Sequence, residues 1–407
     1  MTKGEIIVSL DIGTSKIRAI IGEYNGSTLS VIGVGSAEGE GIRKGSIVDI
    51  DKTVQSIREA IEHAEHMVGI QIDSAFIGIT GNHIVMQPSH GVVAVSSPDR
   101  EIGDEDMDRV LQAAKVIAVP PDREIIGIVP KQFIVDGLDE ITDPRGMVGV
   151  RLEVEGSIVT GSRTVISNLL RCVERAGIKI SGLVLLPLAA STIALSNDEK
   201  KLGVVAVDIG AGQTTVSVFE NGSLSAISVL PIGGDHVTND IAIGLRTQTE
   251  MAETVKLRYG CAMVAAASQE VTFKVSRIGS NTDKEFSQFD LANIIEPRLQ
   301  EIFLMVRQEV ERMGFVKEIP SGYVLYGGVS CMPSVDKLAE YELDAPVRIA
   351  IPDQLGVRDA SFINGVGILQ YAIRNYMKRV HTHTAAPSVR KTGGFLDRIK
   401  NWFSEFV

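Results

Sequence analysis

One strand-and-turn motif occurs twice in this chain. Val204-Val205-Ala206-Val207-Asp208-Ile209-Gly210-Ala211-Gly212-Gln213 is matched by Ile7-Val8-Ser9-Leu10-Asp11-Ile12-Gly13-Thr14-Ser15-Lys16 at a constant offset of 197 residues, with Asp-Ile-Gly unchanged. Val204 to Val207 are apolar without alternation, as in a strand covered on both faces. Gly210 and Gly212 let the backbone turn sharply enough for its N–H groups to face an anion. A carboxylate at the strand's end repels phosphate, so the natural partner of Asp208 or Asp11 is a hydrated magnesium ion, which binds one or two carboxylates and keeps its waters. A single copy reads more simply as an ordinary hairpin. Two copies at domain-sized spacing imply homologous halves, whose facing turns would clamp a polyphosphate between them.

With 407 residues, 44% hydrophobic and 22% charged, the chain is expected to form two or more globular subdomains. The net charge of -11 is uneven: residues 378–407 carry +4 and the rest -15. An acidic body disfavours nucleic acid as a partner. Cys172, Cys261 and Cys331 have no C-x-x-C spacing, which fits core thiols in a reducing compartment. Met1-Thr2-Lys3-Gly4-Glu5 leads straight into a strand, so no signal peptide is expected, and no run reaches the ~18 apolar residues of a spanning helix.

Pattern and punctuation predict strands at 6–11, 16–22 and 28–36, then a helix at 51–67 capped by Asp51. A buried strand at 75–80 precedes a change of texture, read as an inserted subdomain with a helix at 104–117 and strands near 125–135 and 148–156. The second half repeats the plan with strands at 203–208, 214–219 and 224–230, a smaller insertion, a long helix at 291–313, and the strand 322–326 ending in Gly327-Gly328. Paired glycines after a buried strand permit close approach by a ligand, or simply open a helix. Glu253 and Lys256 lie three apart on one helix face, placed either for a surface ion pair or for a ribose.

These parts, in this order, resemble the actin-type ATPase superfamily, and within it the FtsA family of bacterial cell-division proteins. The resemblance rests on Asp11 to Lys16, Asp208 to Thr215, Gly327-Gly328-Val329-Ser330 and the insertion after His83. It implies an α/β, two-lobed actin-like ATPase fold with duplicated halves and an inserted α+β subdomain in the first half. A first-lobe core at 1–83 and 163–202 would surround the insertion at 84–162. The second lobe would span 203–245 and 311–377 around an insertion at 246–310, followed by a linker at 378–394. It also implies ATP with Mg2+ held between the lobes. Gly13, Thr14, Ser15 and Lys16 would form one phosphate loop, and Gly210, Gly212, Gln213, Thr214 and Thr215 the other. Asp11 and Asp208 would face the metal through water, and Glu253, Lys256, Gly327 and Gly328 the nucleoside. Further implications are head-to-tail filaments, docking of the FtsZ C-terminal peptide on 246–310, later division proteins as partners, and a place on the cytoplasmic face of the membrane at the division site. Ser15 and Lys16 make the first loop less glycine-rich than the second, and no general base emerges by motif, so at most slow hydrolysis is expected.

At the C-terminus Phe395, Leu396, Ile399, Trp402, Phe403, Phe406 and Val407 fall on one stripe at helical spacing after a Pro, Thr and Gly linker. Thirteen residues make a helix of about 20 Å, short of the ~30 Å hydrocarbon core, so residues 395–407 are expected to lie on membrane lipid without crossing it. Each tail would bind weakly, and a filament would multiply the attachment. A sugar or carboxylate kinase of the same fold, or a pilus-assembly adaptor resembling PilM, remains an alternative; the tail argues against the kinase.

Overall fold

The computed structural model describes residues 4–279, 282–315 and 319–377. The expected tail helix at 395–407 lies outside the described residues. Each copy of the repeated motif opens a five-stranded sheet of the same plan. In the first, Glu5–Ile12 pairs antiparallel with Lys16–Tyr24, which pairs antiparallel with Leu29–Glu38; on its other side Ser74–Ile79 and then Lys179–Leu185 run parallel. In the second, Val204–Ile209 takes the central place, flanked by Thr214–Glu220 and Ser223–Leu230 on one side and by Tyr323–Tyr326 and Val347–Ile349 on the other. Asp11 stands opposite Arg18, and Asp208 opposite Thr215, at equivalent points of the two ladders.

The insertion in the first half is an antiparallel sheet in the order Val85–Ala94, Arg151–Ser162, Arg123–Val135, Leu138–Ile141, with the helix Asp104–Ala114 on one face. Its core holds Ile102, Val110, Leu111, Phe133, Leu152 and Val154, separate from the core of the lobe. The helix is three residues shorter than expected, and the strand Val85–Ala94 had no sequence reading. That strand carries Pro88 and Gly91, which obscure its pattern. A Cβ at Gly91 would press on the backbone of Val110 and Ala114, so glycine lets helix and sheet meet closely.

In the second lobe a hairpin, Thr272–Ser276 with Asp283–Ser287, leads into the long helix Gln288–Arg312. That helix starts three residues earlier than its apolar spacing suggested, because Ser287 and Asp290 form a capping box. The chain then returns to the first lobe. In the helix Ile363–Ala372, Val366, Leu369 and Ala372 pack with Ile7 and Ile20 of the first sheet. A Cβ on Gly367 would stand 2.6 Å from the Ala189 carbonyl oxygen, so this helix and Leu186–Ala194 touch backbone to backbone.

The first helix, Ile50–Val68, corrects one expectation. Its cap is Asp49, whose carboxylate accepts the Lys52 N–H at 3.1 Å, while Asp51 sits in the first turn and reaches Arg175 at 2.7 Å. Asp49 has the extended backbone a cap needs (φ -142°), and the helix begins at Ile50, one residue before the expected start. Asp49→Ala is therefore expected to destabilise the protein by about 1 kcal/mol, and Asp51→Ala by less than ~0.5 kcal/mol, in urea unfolding.

Candidate functional site

The two repeated turns close in the same way. Gly13 donates its N–H to the Lys16 carbonyl at 3.1 Å, and Gly210 donates to the Gln213 carbonyl at 3.0 Å. They differ in side chains but not in this backbone bond, so the extra glycine of the second loop has another cause. A Cβ at Gly212 would stand 2.7 Å from Thr14 Oγ1 and 3.0 Å from Lys44 Cα. The loops face each other at that distance. The second loop is braced from behind, since its Gly210 and Ala211 carbonyls accept the N–H groups of Gly234 and Asp235 at 2.9 and 2.8 Å. That first turn of the helix Gly234–Leu245 is thus satisfied by the loop.

Between the lobes lies a cavity of about 380 Å³, a size suited to a small-molecule ligand. Its lining includes Asp11, Gly13, Thr14, Ser15 and Lys16 from one lobe, and Asp208, Gly210, Gly212, Gln213, Glu253, Lys256, Gly327 and Gly328 from the other. Thr214 and Thr215 are not in this wall. Both are buried, Thr214 bonding the Ile232 carbonyl at 2.8 Å and Thr215 lying 3.5 Å from Thr80 of the opposite lobe. Lys16 pairs with Glu38, its register partner on the neighbouring strand.

Asp11 and Asp208 sit at the floor. Burial pushes the Asp11 carboxyl above its usual range, with Arg18 opposing. Burial likewise pushes Asp208 up to about 7; the Asn364 amide, donating to Asp208 Oδ2 at 2.8 Å, opposes the shift, and the charge of Asp11 adds to it. Two desolvated carboxylates, one raised further by the charge of the other, favour a cation beside them. Among the described residues no three His, Cys, Asp or Glu side chains converge into a direct metal cage. A hydrated divalent ion, completing its shell with water, fits this pair.

Glu253 and Lys256 are no surface pair. Lys256 is 8% exposed, and its ammonium meets Glu253 Oε2 at 2.6 Å, Thr238 Oγ1 at 2.8 Å and the Gly234 carbonyl at 3.2 Å. All three of its donors are engaged, so Lys256 braces the wall and fixes Glu253. Across the cavity Gly327 has φ +91° and ψ 172°, a conformation that essentially only glycine adopts.

Several cavity residues escaped the sequence reading. Arg18 donates to Ser361 Oγ at 3.0 Å and stacks 4.9 Å above the Phe362 ring. His83 stands where the insertion joins the lobe; its Nδ1 accepts the Ser162 N–H at 3.2 Å, and burial, with Arg123 nearby, pushes its pKa down to about 4. Asn364 stands on the returning helix. A charged or polar residue inside an apolar run, as in Ile17-Arg18-Ala19 and Ile363-Asn364-Gly365, was the available signal. Cys172 and Cys261 are core thiols as expected, but Cys331 is not. It is exposed on the cavity wall, donating to Asp359 at 3.1 Å, and burial of the sulfur with the Asp359 carboxylate beside it pushes its pKa up to about 12.

Two solved structures share the fold. The PilM–PilN type IV pilus biogenesis complex superposes with a TM-score of 0.63 at 17% identity, over 89% of this chain and 97% of that one. MreB5 of Spiroplasma citri bound to AMPPNP gives 0.58 at 14% identity, over 94% and 99%. Sequence comparison is more specific. The family described as "Cell division protein FtsA" matches residues 205–367, and "SHS2 domain inserted in FTSA" matches 81–160. The cell division protein FtsA of Bacillus subtilis is 52% identical over 92% of this chain and 85% of its own length. With the duplicated hairpins, the SHS2 insertion and this identity together, the chain belongs to the FtsA family of actin-like cell-division proteins.

Proposed function

We propose that the cavity binds ATP with Mg2+, and that the nucleotide holds the two lobes in one arrangement while the protein links FtsZ filaments to the membrane. The observation that carries this reading is the pair of identically closed turns facing each other above two desolvated carboxylates. Backbone N–H groups of Thr14, Ser15 and Lys16, and of Gly212 and Gln213, take the phosphates, while Gly13 and Gly210 spend theirs closing the two turns. Thr214 and Thr215 act through the backbone and through packing under the second loop. Asp11 and Asp208 hold the hydrated magnesium, which neutralises phosphate charge when bound. Glu253 Oε1, unengaged by any described donor, accepts from the ribose while Lys256 steadies it, and Gly327 and Gly328 let the base approach the backbone.

Asp208, pushed up to about 7, and Asp11 are taken up by the cation in this reading, and no other described group in the cavity is poised as a general base near neutral pH. His83 spends its basic nitrogen on Ser162, and Cys331 stays protonated. Slow hydrolysis follows, with ATP acting mainly through the arrangement of the lobes.

The rest of the role rests on the family and the sequence. Copies stack head to tail, the surface at 246–310 receives the FtsZ C-terminal peptide, and later division proteins join the assembly. Residues 395–407 lie on the cytoplasmic face of the membrane at the division site. Among the described residues no helix is long and apolar enough to cross a membrane. Flotation with anionic vesicles and FtsZ filaments tests the whole chain of events. With Mg2+ and ATP the full chain should carry most FtsZ into the vesicle fraction, and removal of residues 395–407 should abolish that transfer. FtsZ remaining at the bottom of the gradient with the intact chain present would sink the reading.

A further inference from the structure

Five buried side-chain polar atoms have no hydrogen-bond partner among the described residues, and one of them belongs to a residue lining the cavity: Asn364 Oδ1. Buried polar atoms are nearly always satisfied, so an orphan in a cavity wall points to a partner that arrives with a ligand. The other end of the same amide is engaged. Its Nδ2 donates to Asp208 Oδ2 at 2.8 Å, which fixes the rotation of the side chain and leaves an acceptor beside the carboxylate pair.

The mount matters as much as the amide. Asp208 ends a strand of the second-lobe sheet, whereas Asn364 stands on the helix Ile363–Ala372, whose opposite face packs with Ile7 and Ile20 of the first lobe. The same segment is held again by Arg18, through Ser361 and Phe362, and by the Ser9 hydroxyl, which bonds the Gly365 carbonyl at 2.8 Å. Asn364 therefore touches the second lobe from a support that belongs to the first.

Resting on the Mg2+ and ATP reading above, we infer that Asn364 is a positioning residue for the cation. Its Nδ2 orients Asp208, and its Oδ1 would accept a hydrogen bond from a water of the cation's shell, so that the bound ion would tie the second-lobe carboxylate to the returning helix. A neutral acceptor suits this place. Metal-bound water donates its protons outward, and a third carboxylate would repel the two already present.

The test measures ATP affinity of the full chain by calorimetry across a Mg2+ titration and in excess EDTA, for wild type, Asn364→Ala, Asn364→Gln and Asp208→Asn. Mn2+ binding by electron paramagnetic resonance gives a readout independent of nucleotide turnover. Asn364→Ala is expected to raise the Mg2+ concentration needed for half-maximal ATP affinity about tenfold and to weaken Mn2+ binding similarly, a charge-assisted hydrogen bond lost. Affinity in EDTA should change less than about twofold, Asn364→Gln should recover part of the loss, and in the Asp208→Asn background Asn364→Ala should add little, since the two act as a unit. Equal losses with and without metal, or no loss at all, would overturn the inference and leave the nucleotide reading standing. A wild-type protein that binds ATP under neither condition would remove both.

Discussion

Asp208→Asn is expected to raise the melting temperature of the ligand-free protein while abolishing the stabilisation that Mg2+ and ATP provide. In the folded chain burial pushes the Asp208 carboxyl up to about 7, against 3.8 for an ordinary solvated aspartate such as the unfolded chain presents. Below pH ~4 both states are protonated and the residue contributes no pH dependence. Between about 4 and 7 the unfolded state loses its proton while the folded state keeps it, so stability falls as pH rises, and above 7 the penalty is complete. The full shift corresponds to about 4 kcal/mol, reduced to roughly 1–3 kcal/mol by the water that reaches the partly exposed side chain. Asparagine carries no charge and escapes this penalty, so its advantage should grow from nothing near pH 4 to its full value by pH 8. The same change removes one of the two groups proposed to hold the ion. Ligand at a hundredfold excess over Kd stabilises a protein by about 2.7 kcal/mol, and the variant should lose nearly all of that. Thermal melts from pH 4 to 8, with and without Mg2+ and ATP, check both halves. A gain independent of pH would refute the electrostatic account.

Gly327→Val should be far more damaging than Gly328→Ala, although the two glycines are adjacent and look alike in sequence. Gly327 adopts φ +91° with ψ 172°, and a Cβ there would fall on Asp208 Oδ1 and 2.7 Å from the Ile209 carbonyl oxygen. A side chain meets a strained backbone, worth about 1–3 kcal/mol, and a collision with the strand that carries Asp208. Loss of roughly 3 kcal/mol or more, with loss of detectable ATP binding, is the expected result. Gly328 has nothing within 4 Å of its Cβ position and no positive φ, so Ala is expected to change stability by less than about 0.5 kcal/mol. Urea unfolding and nucleotide calorimetry on the two variants settle the comparison, and comparable losses in both would contradict it.

Much of this site was legible because duplication made it so. Asp11 and Asp208, Gly13 and Gly210 announce themselves by recurring at one offset, and the structure places all four on the wall of one cavity. Arg18, His83 and Asn364 have no counterpart in the other half. At the position equivalent to Arg18 the second half carries Thr215, buried and outside the wall. The Glu253 and Lys256 pair was visible as a spacing, but whether it faced water or the cleft depended on Thr238 and Gly234, from the preceding helix. Helix ends were missed by one to three residues wherever a cap lay outside the apolar stripe, as with Asp49 and Ser287.

The amino-acid order by itself determined the local events: which runs become strands, where glycine permits a turn, and that two halves share one plan. Those follow from interactions between residues a few positions apart, or from similarity between segments. Only the tertiary structure decided that Gly212 must be glycine because Thr14 stands opposite, that Lys256 is a brace with no donor to spare, and that Asn364 reaches the second lobe from the first. Glu253 apart, the partners in these contacts lie between 18 and 198 positions from one another, and burial and hydrogen-bond satisfaction are properties of surroundings that no local pattern encodes.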